Sequence, residues 1–507
     1  MIRPATLDGR RPPALVGDAP SRTVIIVGGG LAGLAAAVAL VQSGEPYRIK
    51  LIESRPRLGG RASSFPDPST GELVDNCQHV SMACCTNLAD FCRRVGTADL
   101  FRRVPDIRFL SPEGKLSCLR AGPWPAPLHL TGSFLRANYL TPIERLRVAY
   151  GVARLKAWRP DGKHGPGESV LAFLRRNGQT ERTIRRYWAT VLVSALNEQL
   201  DRMDLGHARK VFVDGFLRHR DGYQMEIPLV PLGDLYGRRL EAWLAEHEVE
   251  VRLTTGVRTI AVAADGRGAA TGVLLRSGEF VAGDAVILAA PFDRVAGLLP
   301  DPVRRRIPSL DRLDRFESSP ITGVHLWFDR PVCPHEHVVT VDRPIHWVFD
   351  HSAIQGRRTD DDGGGGGGGQ YLQIVISASY DLQPLSKEAV RDLVVAELAA
   401  IWPAACAARL VRWRVVTEHG ATFAVRPGID EHRPPQRTPV AGLFLAGDWT
   451  ATGWPATMEG AVRSGYRAVE ELLAVAGTPR TLVSPDLASN WLSRRTLGPA
   501  AAPPVTT

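Results

Sequence analysis

Apolar positions along the chain change their period from segment to segment. Runs that stay apolar on both faces, at Val24–Val27 and within Asp284–Ala290 and Leu443–Asp448, have the length of strands buried in a parallel sheet. The first run leads into a glycine cluster and then into a small, apolar stretch, Leu34 to Ser43, that stops at Gly44. This reads as strand, tight turn and buried helix. Tyr47 to Ile52 supplies the next strand and completes a βαβ unit. A helical period takes over further on. Thr141-Pro-Ile-Glu144 combines an N-cap hydroxyl, Pro at the first helical position and a capping-box carboxylate. Ile143, Leu146, Tyr150, Ala153 and Ala157 then recur on one face. Ser169 to Leu174 and Thr183 to Asn197 read as further helices, and another follows Gly233 and ends near His247. Val249 to Thr254 is a strand, alternating runs from Gly256 to Val281 form an antiparallel hairpin, and Ile321 to Phe328 and Tyr371 to Ser377 are strands of a second region.

The expected fold class is therefore α/β and α+β, a Rossmann-like nucleotide domain interleaved with a mixed sheet-plus-helices substrate domain. The first takes residues 21–90, 222–300 and 425–475, and the second takes 91–221 and 301–424. Residues 1–20 read as a disordered tail and 476–507 as a C-terminal tail. The stretch 358–370, dominated by Asp360-Asp-Asp and Gly363 to Gly369, reads as a flexible surface insertion.

Composition narrows the class. A chain of 507 residues, 44% hydrophobic and 23% charged, is long enough for roughly three domain-sized units of a globular protein. The formal net charge of +9 comes from dispersed Arg, which favours anionic surfaces, a membrane face included, without singling out nucleic acid. The seven cysteines, Cys77, Cys84, Cys85 and Cys92 among them, form no pair of C-x-x-C knuckles, which points to a reducing, cytoplasmic setting without a disulfide framework. Cys333, His335 and His337 have no second cluster at ligand spacing, so no metal site is expected. Residues 1–20 lack the apolar core of a signal peptide, and the long apolar run Val24–Val41 is broken by glycines, so no membrane span is expected.

Candidate chemistry begins at Gly28, Gly30 and Gly33, the three glycines of a G-x-G-x-x-G turn. A pyrophosphate must approach the backbone closely enough to take up unpaired N–H groups at the helix start, around Leu31 and Ala32, and a side chain at Gly30 would stand in its way. A glycine-rich turn without a ligand would explain that motif alone. It would not explain Glu53 at the end of the next strand, where a carboxylate suits ribose hydroxyls. Gly59 and Gly60 again permit close backbone approach, and Arg61 adds a planar cation.

A second glycine-plus-arginine pair after the acid resembles the FAD-binding flavoproteins of the amine-oxidase and carotene-desaturase type, and the resemblance extends to Gly447-Asp448 and Met458–Gly465 near the other end. It implies FAD as cofactor and a flavin amine oxidase-like fold. Arg61 would lie toward the pyrophosphate, the Val257 amide on the adenine, and Asp448 at a ribityl hydroxyl. The helix beginning Met458-Glu459-Gly460-Ala461 would point its positive end at the electron-rich edge of the ring.

Within that superfamily, Asp75-Asn-Cys-Gln-His79, Trp188 with Leu196-Asn197, and Gly447–Thr457 resemble the hydroxysqualene dehydroxylases, the squalene-associated FAD-dependent desaturases. Those proteins commonly carry Gly where this chain has Cys77. The resemblance implies reductive removal of the allylic hydroxyl of hydroxysqualene to give squalene, for hopanoid or related synthesis. His79, with Gln78 and Asn76, would orient or protonate the hydroxyl. Core packing and a helix cap are the weightier readings of Trp188 and Asn197. A phytoene-type carotene desaturase working oxidatively, an amine oxidase and a flavin-fold carrier without turnover are the alternatives.

Trp124, Leu128, Leu130, Phe134, Leu135 and Tyr139 precede the helix at Thr141, whose remaining face carries Arg145, Arg147, Arg154 and Lys156. Two readings stand for residues 123–158. They are either helices in peripheral contact with the inner face of the cytoplasmic membrane or an ordinary core-facing helix with a solvated basic face.

Overall fold

The computed structural model describes residues 22–159, 167–263, 268–356 and 368–498. The N-terminal tail and most of the glycine-rich insertion lie outside the described residues.

Five parallel strands from widely separated parts of the chain form the nucleotide-side sheet, in the order Glu250–Arg252, Arg48–Ile52, Thr23–Val27, Ala285–Leu288 and Leu443–Leu445. Val27 lies in register with Ile52 and Leu288, so the strands that flank the glycine turn end together. The helix Leu31–Gln42 is buried continuously from Leu31 to Leu40, which explains why its sequence shows no polar face. The helix Met458–Val475 packs against it. A Cβ added at Gly465 would lie 2.3 Å from the Ala32 carbonyl oxygen and 2.9 Å from Ala35 Cβ, so the two backbones meet with no side chain between them. Beside this layer, Val257–Val262, Ala270–Leu275 and Phe280–Ala282 form an antiparallel sheet, the expected hairpin extended by one strand.

The second layer is a seven-stranded sheet in the order Leu410–Phe423, Ser318–Phe328, Gln370–Ser377, Trp347–Asp350, His337–Thr340, Ile107–Leu110 and Leu116–Leu119. Its pairings are antiparallel except that His337–Thr340 runs parallel to Ile107–Leu110. The strands between 107 and 119 fall in a stretch for which the sequence pattern predicts no strand. They are short and form a local hairpin, which Ile107–Leu110 joins to the sheet through His337–Thr340, more than two hundred positions away.

The helix Pro142–Ala157 has the expected capping box, with Thr141 N–H donating to Glu144 Oε2 at 2.8 Å. Its apolar stripe does not face the core. Ile143, Leu146 and Tyr150 are exposed, while Glu144, Val148, Gly151 and Leu155 are buried. Gly151 sets this orientation, because a Cβ there would stand 2.7 Å from the Trp188 ring. The helix makes its close contact through its small-residue side, and the larger apolar residues are left outside. The helix still faces the core, through Val148 and Leu155; what is corrected is which of its faces is buried.

The segment Glu181–Leu196 widens into a π-helical turn over Ile184–Ala189 and ends at Asn197 in the left-handed conformation, with φ 54°. Trp188 is buried and its indole N–H donates to Gln179 Oε1 at 2.9 Å. Asn197 ties three strands through Ser319 O, Thr422 Oγ1 and the Ala378 amide. Both residues do structural work.

The C-terminal segment is docked as far as it is described. Ser484 N–H donates to Asn87 Oδ1 at 2.8 Å, and a helix at Trp491–Leu497 is capped by Asn490. Among the described residues no helix is long and apolar enough to cross a membrane.

The Gly465 contact leads to a stability prediction. Gly465→Val should destabilise the protein by about 1–3 kcal/mol or more through overpacking. Gly237→Ala, whose Cβ would meet nothing within 4 Å, should be close to neutral. Chemical denaturation midpoints of the two variants test this, and equal midpoints would show that the helices separate without penalty.

Candidate functional site

The glycine turn has two kinds of glycine. Gly28 has φ +114° and a Cβ there would stand 2.6 Å from Ala289 O, while at Gly33 a Cβ would lie 2.0 Å from Gly28 O. Contacts within the protein require both. At Gly30 the only neighbour within 4 Å of a Cβ among the described residues would be Gly60 Cα, at 3.9 Å, so none of them demands a glycine there. The space that a side chain would fill lies at the start of the Leu31–Gln42 helix. The amides of Ala32 and Gly33 in that first turn donate to no acceptor among the described residues. Open space beside uncommitted donors at a helix N-terminus fits the pyrophosphate of a dinucleotide.

The second glycine pair lies against the first. Gly59 N–H donates to Gly29 O at 2.9 Å, and Gly60, with φ +62°, brings its backbone close to Gly30 Cα. Glu53 anchors this clasp. Its Oε2 accepts from Gly29 N at 2.7 Å and its Oε1 from Arg55 N at 2.7 Å. Thr255 N–H donates to Glu53 O at 2.9 Å, which brings the strand that begins at Val257 to the Glu53 end of the site. The two residues expected at the adenosine are thus near each other.

Arg61 joins two distant segments. Its guanidinium is paired with Asp448 Oδ1 at 2.7 Å and donates to Ala421 O at 2.9 Å. Burial opposes the charge, but Asp448 outweighs it and raises the Arg61 pKa. The cation assigned to the pyrophosphate and the acid assigned to the ribityl chain therefore hold each other and join the two ends of the sequence.

At the other end, Gly447 has φ +146° and its N–H donates to Ser464 Oγ at 2.7 Å. The Glu459 side chain has a structural role. Its carboxylate is fully buried and accepts from Asn87 N at 3.2 Å and Leu88 N at 2.7 Å, where it stabilises the start of the helix Thr86–Arg94. It is also bonded to Arg463 Nε at 2.6 Å. The Ala461 amide is taken by Thr457 O at 3.0 Å, so it is not free for a cofactor. The donors left at this helix start are the backbone N–H groups of Met458 and Glu459.

Asn76 Nδ2 donates to Arg61 O at 2.5 Å, which turns Oδ1 the other way. That oxygen, and Gln78 Oε1, are buried acceptors with no donor among the described residues. His79 Nδ1 lies 2.9 Å from Cys77 O, which places the proton on Nδ1 and leaves Nε2 as an acceptor in the neutral ring. Burial lowers the His79 pKa, the Cys77 carbonyl works against that, and the Arg61 charge lowers it further. Cys77 is accommodated because Gly323 faces it, a position whose Cβ would lie 3.0 Å from Asn76 O. Burial pushes the Cys77 thiol up to about 12, so it stays neutral. Beyond this polar corner lies an apolar cluster that includes Cys77, Phe109, Tyr139 and Phe349, with Val80, Ile321 and Trp347 packed against it.

Arg433 is the residue that sequence reasoning missed. Its buried guanidinium donates to the carbonyls of Asp448 at 2.8 Å, Thr450 at 2.9 Å and Trp454 at 2.7 Å. It also reaches Thr452 Oγ1 at 2.9 Å and Asp430 at 2.8 Å. One side chain thus shapes the whole loop from Asp448 to Trp454. No motif surrounds it, and its partners are mostly carbonyls, which carry no residue signature. Trp454 in turn lies between Lys210 and Arg463, 4.5 and 4.8 Å from its ring centre.

Residues 31–473 match the family described as flavin containing amine oxidoreductase. A 15-cis-phytoene desaturase of Arabidopsis thaliana is 27% identical over 492 residues, spanning 92% of this chain and 83% of that protein. A hydroxysqualene dehydroxylase of Rhodopseudomonas palustris is 28% identical over 464 residues, spanning 90% of this chain and 99% of its own length. Among solved structures, cyclohexylamine oxidase from Brevibacterium oxydans is similar with a TM-score of 0.62 at 18% identity, over 90% of this chain and 100% of that one, which speaks to the fold.

Arg433→Met would strip the partner from three loop carbonyls at about 1–3 kcal/mol for each one left buried and unpaired. Flavin affinity of the apoprotein should fall roughly tenfold or more, since about 1.4 kcal/mol corresponds to a factor of ten. Fluorescence titration with FAD measures it. Wild-type affinity in the variant would show that the loop keeps its shape unaided.

Proposed function

The chain belongs to the flavin-containing amine oxidoreductase family, and from that premise we propose that this flavin-dependent oxidoreductase removes the hydroxyl of hydroxysqualene reductively to give squalene. The observation that carries the reading is the pair of buried acceptors, Asn76 Oδ1 and Gln78 Oε1, at the edge of an apolar cluster. A pure hydrocarbon would leave both without a donor, at about 1–3 kcal/mol each. A substrate hydroxyl supplies a proton to one of the two. The alignment over nearly the full length of a dehydroxylase supports the same reading.

Bound in its reduced form, FAD would supply the hydride that takes the place of the hydroxyl on carbon. Asn76 Oδ1 or Gln78 Oε1 accepts the single proton of the substrate hydroxyl and fixes its position. Protonated His79 donates to the oxygen, which leaves as water. The burial that lowers the His79 pKa makes its imidazolium a stronger acid and confines that form to lower pH. The neighbouring apolar residues keep bulk water from the departing group.

A C30 chain gains on the order of 20 kcal/mol by staying in lipid, so it has to pass from bilayer to site without crossing water. The outward face of the helix Pro142–Ala157 suits peripheral contact with a membrane on the cytoplasmic side. Leu146 is 73% exposed and Ile143 67%, with Arg147 and Arg154 also exposed on the same helix.

The phytoene desaturase relative keeps an oxidative second reading in view. Anaerobic incubation of the reduced holoenzyme with hydroxysqualene should yield squalene, while the oxidised holoenzyme should leave phytoene unchanged. A more unsaturated polyene from phytoene, with no squalene from hydroxysqualene, would transfer the assignment to the desaturases.

His79 gives a pH prediction. Its working form is protonated and its pKa lies below the ordinary 6.5, so single-turnover rate should be greatest in acid and fall as pH rises through that lowered value. His79→Ala with its flavin retained should lose that limb and about 100-fold or more in rate. A wild-type profile in the variant would end the assignment.

A further inference from the structure

The C-terminal helix Trp491–Leu497 lies outside every functional segment described so far, yet it is firmly placed. Its cap residue Asn490 donates through Nδ2 to Ala126 O at 2.9 Å. At its far end Arg218 Nη1 donates to Gly498 O at 3.1 Å, and Arg218 is itself held by Asp214 at 2.7 Å. Ser493 and Leu497 are buried, whereas Trp491, Arg494 and Arg495 face solvent. The Ala126 loop it touches also carries Trp124, whose carbonyl is fixed by Arg220 Nη1 at 3.1 Å.

Trp124 is 63% exposed and Trp491 64%. Two indoles on rigidly held backbone in water gain nothing from the core. Indoles do find a favourable place at the headgroup level of a bilayer, where an apolar ring with a polar N–H is matched on both sides. The same region exposes Leu128 and Leu135, and it continues into the Ile143, Leu146 and Tyr150 face. The basic residues beside it keep their charge. Arg145, Arg147 and Arg154 donate to uncharged oxygens, those of Ala137, Gly178 and Asn177. A cavity of about 480 Å³ opens between Leu146, Arg147, Tyr150 and Arg176.

We propose that the C-terminal helix completes a bilayer-docking face, with Trp124 and Trp491 at headgroup level and Arg494 and Arg495 against anionic phospholipid. This rests on reading the helix Pro142–Ala157 as a membrane contact and extends it to a segment more than three hundred residues away in sequence. The charge pattern selects the occupant. An apolar ridge bordered by Arg145, Arg147, Arg154, Arg494 and Arg495, which have no acidic partner among the described residues, complements an anionic lipid surface and would repel a second copy of itself. Two anchored ends also fix the orientation, which a single amphipathic helix leaves free to roll.

The test uses full-length holoenzyme and vesicles of phosphatidylcholine with and without phosphatidylglycerol. Wild type should sediment with the anionic vesicles, and Trp491→Ala combined with Arg494→Glu and Arg495→Glu should weaken partition roughly tenfold or more. Trp491→Phe should lose part of the quenching that bromine-labelled lipid produces in wild type. Turnover of detergent-dispersed substrate should be the same in all these proteins. If the triple variant partitions like wild type while Leu146→Gln with Tyr150→Gln does not, the C-terminal helix has no part in the face and the reading of Pro142–Ala157 stands. If wild type ignores anionic vesicles, both fall. A dimer in wild type that the triple variant abolishes, seen by light scattering without lipid, would give the face to a second copy and overturn the proposal.

Discussion

A helix start that offers its amides to a ligand cannot also be held by hydrogen bonds through those amides. This constraint governs the nucleotide side of the molecule, and it is met by close contact of glycines. Gly33 rests on the Gly28 carbonyl, Gly60 on Gly30, and Gly465 on Ala32 and Ala35. The last contact sets the first turns of the Leu31 helix directly against the middle of the Met458 helix, so the uncommitted donors of both are positioned by one rigid crossing. Backbone contact of this kind tolerates almost no displacement, which is what a site built mainly from N–H groups requires.

Charged side chains do the complementary work of joining distant segments. Arg61 and Asp448 connect the two ends of the chain, Glu459 caps a helix from across the site, and Arg433 shapes a loop through its carbonyls. Each of these groups is partly or wholly buried, and each is satisfied by charge-assisted hydrogen bonds, which offset the desolvation that burial brings. They frame the cofactor region. At the Asn76–His79 corner, by contrast, acceptors remain unpaired against an apolar wall, an arrangement suited to one polar group on a long hydrocarbon. The outward apolar face of Pro142–Ala157 is consistent with such a substrate arriving from lipid.

How much of this could be read in advance depended on how local the cause was. The turn at Gly28, Gly30 and Gly33, the strand and helix around it, Glu53 and the capping box at Thr141 all follow from interactions within a few residues or one βαβ unit. The strands at 107–119 were hidden because pairing, and no local period, makes them strands. The stripe at Ile143, Leu146 and Tyr150 was legible as a face. Which way it points was not, because Gly151 and Trp188 settle that from two separate segments.

The amino-acid sequence by itself therefore determined the nucleotide-binding architecture and the flavin family, since close backbone approach demands glycine at particular spacings and leaves few alternatives. Only the tertiary structure decided what the charged residues do. A carboxylate or guanidinium takes its role from whichever partner folding brings within reach, so Glu459 became a cap, Arg61 an ion-pair partner and Arg433 a clamp. The docking of residues 476–498 was settled in the same way, because the oxygens and amides that hold them belong to loops and helices far away in the chain.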